Sequence, residues 1–108
     1  MVEHLSALTF KKAIAGKNPV IIDFWAEWCG PCKALGPVFE KVGGEFKGRL
    51  NFAKLNVEEN QDLAAEHGVL GIPCMILFKD GKEVDRIVGS MPEATLKSRI
   101  EGILSSIS

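Results

Sequence analysis

Hydrophobic and polar positions change their period several times along this chain, and each change marks an element. Between residues 7 and 15, Phe10, Ala13 and Ile14 recur at helical spacing, which predicts a first short helix. The run VIIDFWA (20–26) is nearly continuous in apolar residues and rich in β-branched ones, the pattern of a strand buried on both faces. From Pro31 onward, Leu35, Val38, Phe39, Val42 and Phe46 return every three or four residues. They predict a long amphipathic helix ending near Gly48. Pro31 suits its first turn, and Pro37 in its interior is expected to kink it.

NFAKLNV (51–57) reads as a second buried strand, and a short helix over 59–67 is stopped by Gly68. CMILF (74–78) and EVDRIV (83–88) predict two strands joined by Lys79-Asp80-Gly81-Lys82, where Asp-Gly is a strong hairpin signal. The last helix begins near Pro92 and carries Leu96, Ile100, Ile103, Leu104 and Ile107 on one face. A very short strand at residues 2–5 has the weakest pattern. The resulting order is α-β-α-β-α-β-β-α. Strand–helix–strand units imply parallel pairing with right-handed crossovers, and the hairpin adds an antiparallel edge. The expected fold class is α/β, a mixed twisted sheet with helices on both faces, in one domain over residues 1–108.

Composition narrows the function more than the fold. The 108 residues are 46% apolar and 25% charged with net charge −1, a balance that argues against a dedicated nucleic-acid binder. Residues 1–54 hold 8 basic and 5 acidic side chains (+3), and residues 55–108 hold 5 and 9 (−4). No block of like charge exceeds two residues, so this split is ordinary surface patterning. The start MVEHLSALTF lacks a basic region followed by an apolar one, so no signal peptide is expected. The apolar stretch VLGIPCMILF (69–78) is far too short to span a bilayer. A cytoplasmic monomer without membrane or nucleic-acid partners is therefore expected. In a reducing compartment a close cysteine pair is catalytic or metal-binding rather than structural, and three cysteines leave one unpaired.

That pair is Cys29-Gly30-Pro31-Cys32, at the junction of the first long strand and the long helix. Two cysteines three apart share one face of a helical first turn. Cys29 falls near the N-cap, where unpaired N–H groups and the helix dipole favour an anion and so depress a thiol pKa. Cys29 is thus the candidate nucleophile, and Cys32, one turn in and more buried, the resolving thiol. Gly30 permits close approach of a partner backbone, and Pro31 stiffens the loop. Structural zinc needs four ligands, and the remaining Cys74, His4 and His67 are not spaced as a second pair, so no metal is expected. A structural disulfide closing so short a loop adds little. The redox reading is the strongest.

Asp23 lies inside VIIDFW, where a buried charge is expensive. It is either an exposed strand carboxylate or ion-pair partner of Lys54 on the next strand, or a buried carboxyl of raised pKa that accepts the proton of Cys32. The two are compatible, since Lys54 could orient the carboxylate and limit its pKa. Gly71-Ile72-Pro73 precedes a strand; Pro73 either starts that strand from a simple loop or forms a cis bond, and spacing does not choose.

These residues closely resemble the thioredoxin family. DFWAEWCGPCK matches its active-site segment, and Pro37, FAKLNV, GIP before a strand, FKDGK and IVG follow in the family's order over nearly the whole chain. The resemblance implies a thioredoxin fold, a central four- or five-stranded mixed sheet flanked by four helices in three α/β/α layers. It implies a protein-disulfide reductase in which Cys29 attacks a client disulfide, Cys32 resolves the mixed disulfide, Asp23 is the general base and Lys54 supports it. Pro73 is similar in position to the family's cis-proline, with Ile72 offering backbone hydrogen bonds to an extended substrate. Trp28, Gly30, Pro31, Ile72, Val88 and Gly89 would form an apolar docking surface around Cys29. No bound cofactor is implied; electrons would come from a partner reductase and pass to disulfide-containing clients. Gly-Pro between the cysteines resembles the reducing members of the superfamily. A client-specific reductant or isomerase and a non-catalytic binding subunit are the alternatives. Cys74 departs from the family, which commonly has Thr there; it is read as buried packing, with a third reactive thiol as the sharper alternative.

Overall fold

VIIDFW occupies the middle of a five-stranded sheet, which explains why almost every residue of it is apolar. The computed structural model describes residues 2–107. Along the chain the elements are β1 (Glu3–His4), α1 (Ala7–Ala15), β2 (Val20–Trp25), α2 (Gly30–Glu45) and β3 (Asn51–Asn56). They continue with α3 (Gln61–Glu66), β4 (Cys74–Lys79), β5 (Lys82–Val88) and α4 (Glu93–Ile107). The sheet order is β1-β3-β2-β4-β5. β1, β3 and β2 run parallel, while β4 is antiparallel to β2 and β5 to β4. The weak first strand is therefore real but only two residues long.

Strand alternation divides the core in two. Ile21, Phe52, Met75, Leu77 and Ile87 face α2 and α4, where they meet Leu35, Phe39, Val42, Leu96 and Ile100. Val20, Ile22, Phe24, Leu55, Cys74, Ile76 and Phe78 face the other way, onto Phe10 of α1 and Leu63 of α3. Each face buries large aliphatic and aromatic groups, the main favourable contribution to folding.

Local signals set the ends. Ser6 caps α1 reciprocally with Thr9: the Thr9 N–H donates to Ser6 Oγ at 3.3 Å, and the Ser6 N–H donates to Thr9 Oγ1 at 2.8 Å. α2 continues through Pro37 to Glu45, ending slightly before the expected Gly48. The hairpin turn has positive φ at both Asp80 (54°) and Gly81 (80°), the type I′ geometry that Asp-Gly favours. The Gly81 N–H then donates to the Ile14 carbonyl at 2.7 Å, fixing the turn to the end of α1.

Candidate active site

The chain leaves β2 at Trp25, turns on a Cys29 N–H to Ala26 carbonyl bond of 3.2 Å, and enters α2 with Cys29 as the N-cap residue. Cys29 Sγ takes the acceptor role a Ser or Asp side chain normally fills, receiving the Cys32 N–H at 3.2 Å. The two cysteines form a disulfide, with Cα atoms 5.2 Å apart. Cys29 is 5% exposed and Cys32 1%, so the order of accessibility is the expected one. Cys29 is nonetheless far less open than a freely exposed thiol. Trp25, Val57 and Ile72 close around it.

Across from the helix end, the segment between α3 and β4 brings Ile72 to within 3.9 Å of Cys29 Sγ through its carbonyl oxygen. The Ile72–Pro73 peptide bond is cis. Pro73 is buried, while Trp28, Gly30, Pro31 and Val88 are exposed around the sulfurs. Gly89, with φ of 99°, donates its N–H to the Pro73 carbonyl at 2.9 Å. The structure thus brings Trp28, Gly30, Pro31, Ile72, Pro73, Val88 and Gly89 to the end of the sheet that carries Cys29. It adds Leu70, which the sequence reading missed. Trp28 is 69% exposed and Leu70 99%, and both line one shallow apolar cleft with Val57 and Ile72. The available signal was a leucine outside any periodic pattern, hidden because residues 69–78 read as one apolar run.

Asp23 is fully buried, which overturns the exposed-carboxylate alternative. Alternation with Ile21 puts it on the α2 side of β2. Neither carboxylate oxygen has a hydrogen-bond partner among the described residues. Burial pushes its pKa from the usual 3.8 up to about 7, and the Lys54 charge pulls it back part of the way. Lys54 sits beside it in the β2–β3 register. However, no ion pair joins the two among the described residues. The Lys54 ammonium lies over the Trp25 ring instead, 4.7 Å from its centroid. Lys54 therefore acts on Asp23 as a nearby charge rather than through a bond that orients it.

Cys74 lies on the opposite face of the sheet from Asp23 and is buried. Burial also pushes its thiol pKa up, the setting of an inert cysteine. That supports the packing reading over a third reactive thiol. Among the described residues, no three His, Cys, Asp or Glu side chains converge as metal ligands would.

An exchangeable sulfur pair at a strand-to-helix junction, facing a backbone edge and an apolar rim, defines a class: thiol–disulfide oxidoreductases on a three-layer α/β/α scaffold. Residues 1–102 match the family model described as Thioredoxin, and the chain belongs to the thioredoxin family. It is 41% identical over 98 residues to the chloroplastic M-type thioredoxin of Chlamydomonas reinhardtii, covering 90% of this chain and 70% of that one. It is 39% identical over 102 residues to a Synechocystis thioredoxin, covering 94% and 95%. Among solved structures, Malassezia sympodialis thioredoxin (Mala s 13) superposes with a TM-score of 0.85 at 37% identity, covering 96% of this chain and 91% of that one. The protein is a thiol–disulfide oxidoreductase with a thioredoxin fold. The family needs no bound cofactor and works with reductase-type donors and disulfide clients.

Proposed function

We propose that the protein is a general protein-disulfide reductase in which Cys29 is the nucleophile, Cys32 the resolving thiol and Asp23 the general base. The Cys29 thiolate attacks one sulfur of a client disulfide; the client S–S bond breaks and a Cys29–client S–S bond forms. The departing client sulfur leaves as a thiolate and takes up a proton. Asp23 accepts the proton of Cys32, and the Cys32 thiolate then attacks Cys29 Sγ. That step releases the second client sulfur as a thiolate, which takes up a proton, and leaves the Cys29–Cys32 disulfide. Two electrons have moved to the client, and a partner reductase restores the dithiol.

The observation that carries this assignment is the N-cap position of Cys29 Sγ, which accepts the Cys32 N–H. The same hydrogen bond and the positive end of α2 favour a thiolate at Cys29 once the pair is reduced. Asp23 suits a base because its pKa of about 7 leaves it partly ionised at neutral pH. Lys54 keeps that pKa from rising further. Cys29 has Ile72 and Pro73 beside it as the seat for an extended client segment. Trp28, Gly30, Pro31, Val88 and Gly89 form the apolar rim. The thiol chemistry needs a reducing compartment, and we place the protein in the cytoplasm as a monomer.

Mixing Cys32→Ser protein with an oxidised client should accumulate a mixed disulfide, while Cys29→Ser protein should form none. Equal trapping by both variants overturns the assignment of nucleophile and resolver. A binding-only role predicts instead that the double variant Cys29→Ser, Cys32→Ser keeps full biological activity.

A further inference from the structure

Residues 67–73 carry Ile72 and Pro73 to the sulfurs. The His67 ring at one end packs among Phe10, Phe24 and Phe78, and Pro73 at the other end is buried, but little apolar burial holds the middle. Leu70 and Gly71 are exposed, and Val69 and Ile72 are only half-buried. A segment with so few buried contacts moves unless something else restrains it. Besides the Gly68 and Val69 N–H bonds to the Ala65 and Ala64 carbonyls at its start, the restraint comes from β5. Arg86 Nη2 donates to the His67 carbonyl at 2.8 Å, and Nη1 donates to the Gly68 carbonyl at 3.2 Å. The guanidinium is itself clamped by Glu83, with Nε to Oε2 at 2.7 Å and Nη2 to Oε1 at 2.6 Å. Three residues further along, just past the end of β5, the Gly89 N–H bonds the Pro73 carbonyl at the segment's other end. β5 therefore grips residues 67–73 from both sides.

We propose that Arg86 is a positioning residue for protein substrates: its bonds to the His67 and Gly68 carbonyls, with the Gly89–Pro73 bond, fix the Ile72 backbone edge against Cys29. This rests on the reductase reading above. Only arginine can do it at this position. Its planar fork offers five N–H donors, enough to hold a carboxylate in bidentate fashion and two carbonyls together. The compact ammonium of lysine cannot span those acceptors. Register places Arg86 opposite Ile76, on the α1 and α3 face and away from Asp23, so it does not act on the sulfurs directly.

The test compares a protein disulfide, which needs the backbone edge, with a small aromatic disulfide, which needs only Cys29. Pre-reduced wild type, Arg86→Lys and Arg86→Met are each reacted with insulin and with 5,5′-dithiobis(2-nitrobenzoate). Arg86→Met should lose about tenfold in rate with insulin, as expected when hydrogen bonds to a charged group disappear. Arg86→Lys should fall in between, and all three should stay within about twofold on the small reagent. Equal losses on both reagents, or no loss on insulin, overturn the proposal. If Arg86→Met fails to fold by circular dichroism, Glu83→Gln, which loosens the clamp but keeps the arginine, is read by the same ratio. A wild type that reduces the small disulfide but never insulin refutes the reductase reading itself.

Discussion

Asp23 and Arg86 stand on opposite faces of the same sheet, and they meet burial in opposite ways. Asp23 has no hydrogen-bond partner among the described residues for either oxygen, and its charge is suppressed by a raised pKa. Arg86 is tied to a carboxylate and two carbonyls and stays charged. The first arrangement costs stability and leaves a group able to take a proton near neutral pH. The second contributes order and does no proton chemistry. Of these two residues, the unsatisfied one is poised to titrate and the satisfied one holds shape.

The contrast breaks most visibly at Asp23. Its folded pKa is above its unfolded one, so the native state holds the proton more tightly between pH 3.8 and about 7. Stability therefore falls as pH rises through that window and stays reduced above it. Asp23→Asn should raise unfolding free energy by about 2 to 4 kcal/mol at pH 8 and by almost nothing at pH 3.5, read by urea titration. The same variant should slow mixed-disulfide resolution about a hundredfold at pH 7. An unchanged resolution rate would remove Asp23 as the base.

Glu83→Ala probes the satisfied side. The Glu83 pKa is lowered by its hydrogen bond to Arg86, so the pair's contribution is complete above the unfolded value and lost as pH falls through the folded one. A destabilisation of about 1 kcal/mol is expected, level from pH 6 to 9 and reduced by salt, because the pair is partly exposed. A pH-dependent loss in that range would erase the distinction between the two charges.

Lys54→Met should move the pH midpoint of the resolving step upward, since the charge that opposes the burial shift is gone. A downward move would mean that Lys54 acts through packing on Trp25. The smallest effect is expected from Leu70→Ala. Its stability should stay within about 0.5 kcal/mol of wild type, while binding of a protein client weakens about twofold. A large stability loss there would show that residues 67–73 are held by burial and not by Arg86.

Much of this was legible along the chain because it depends on period and turn chemistry. The strands at 20–26, 51–57, 74–78 and 83–88 differ from the observed ones by a residue or so at their ends. The Asp80-Gly81 turn is the one its residues demand. Cys29 and Cys32 declared themselves through spacing and a strand-to-helix boundary. What the residues did not disclose is where long side chains go. Lys54 is in register with Asp23 but turns to the Trp25 ring, a choice made by rotamers and not by strand pairing. Arg86 reads as one more strand charge, yet its partners include carbonyls 18 and 19 residues away in sequence. Leu70 was lost inside an apolar run that contained both a surface loop and a buried strand.

The sheet order carries one more consequence. β1, β3 and β2 come from residues 3–56, and β4 and β5 from residues 74–88, so the antiparallel contact between β2 and β4 is a seam between two successive stretches of chain. Cys29 belongs to one side of that seam and Ile72 to the approach to the other, 43 residues later. A ribosome-bound chain that has finished β3 already owns both sulfurs and Asp23 but has no edge on which to seat a client. Docking of β4 supplies it. On the proposed mechanism, efficient exchange with proteins is therefore open only to molecules that have completed the β2–β4 pairing.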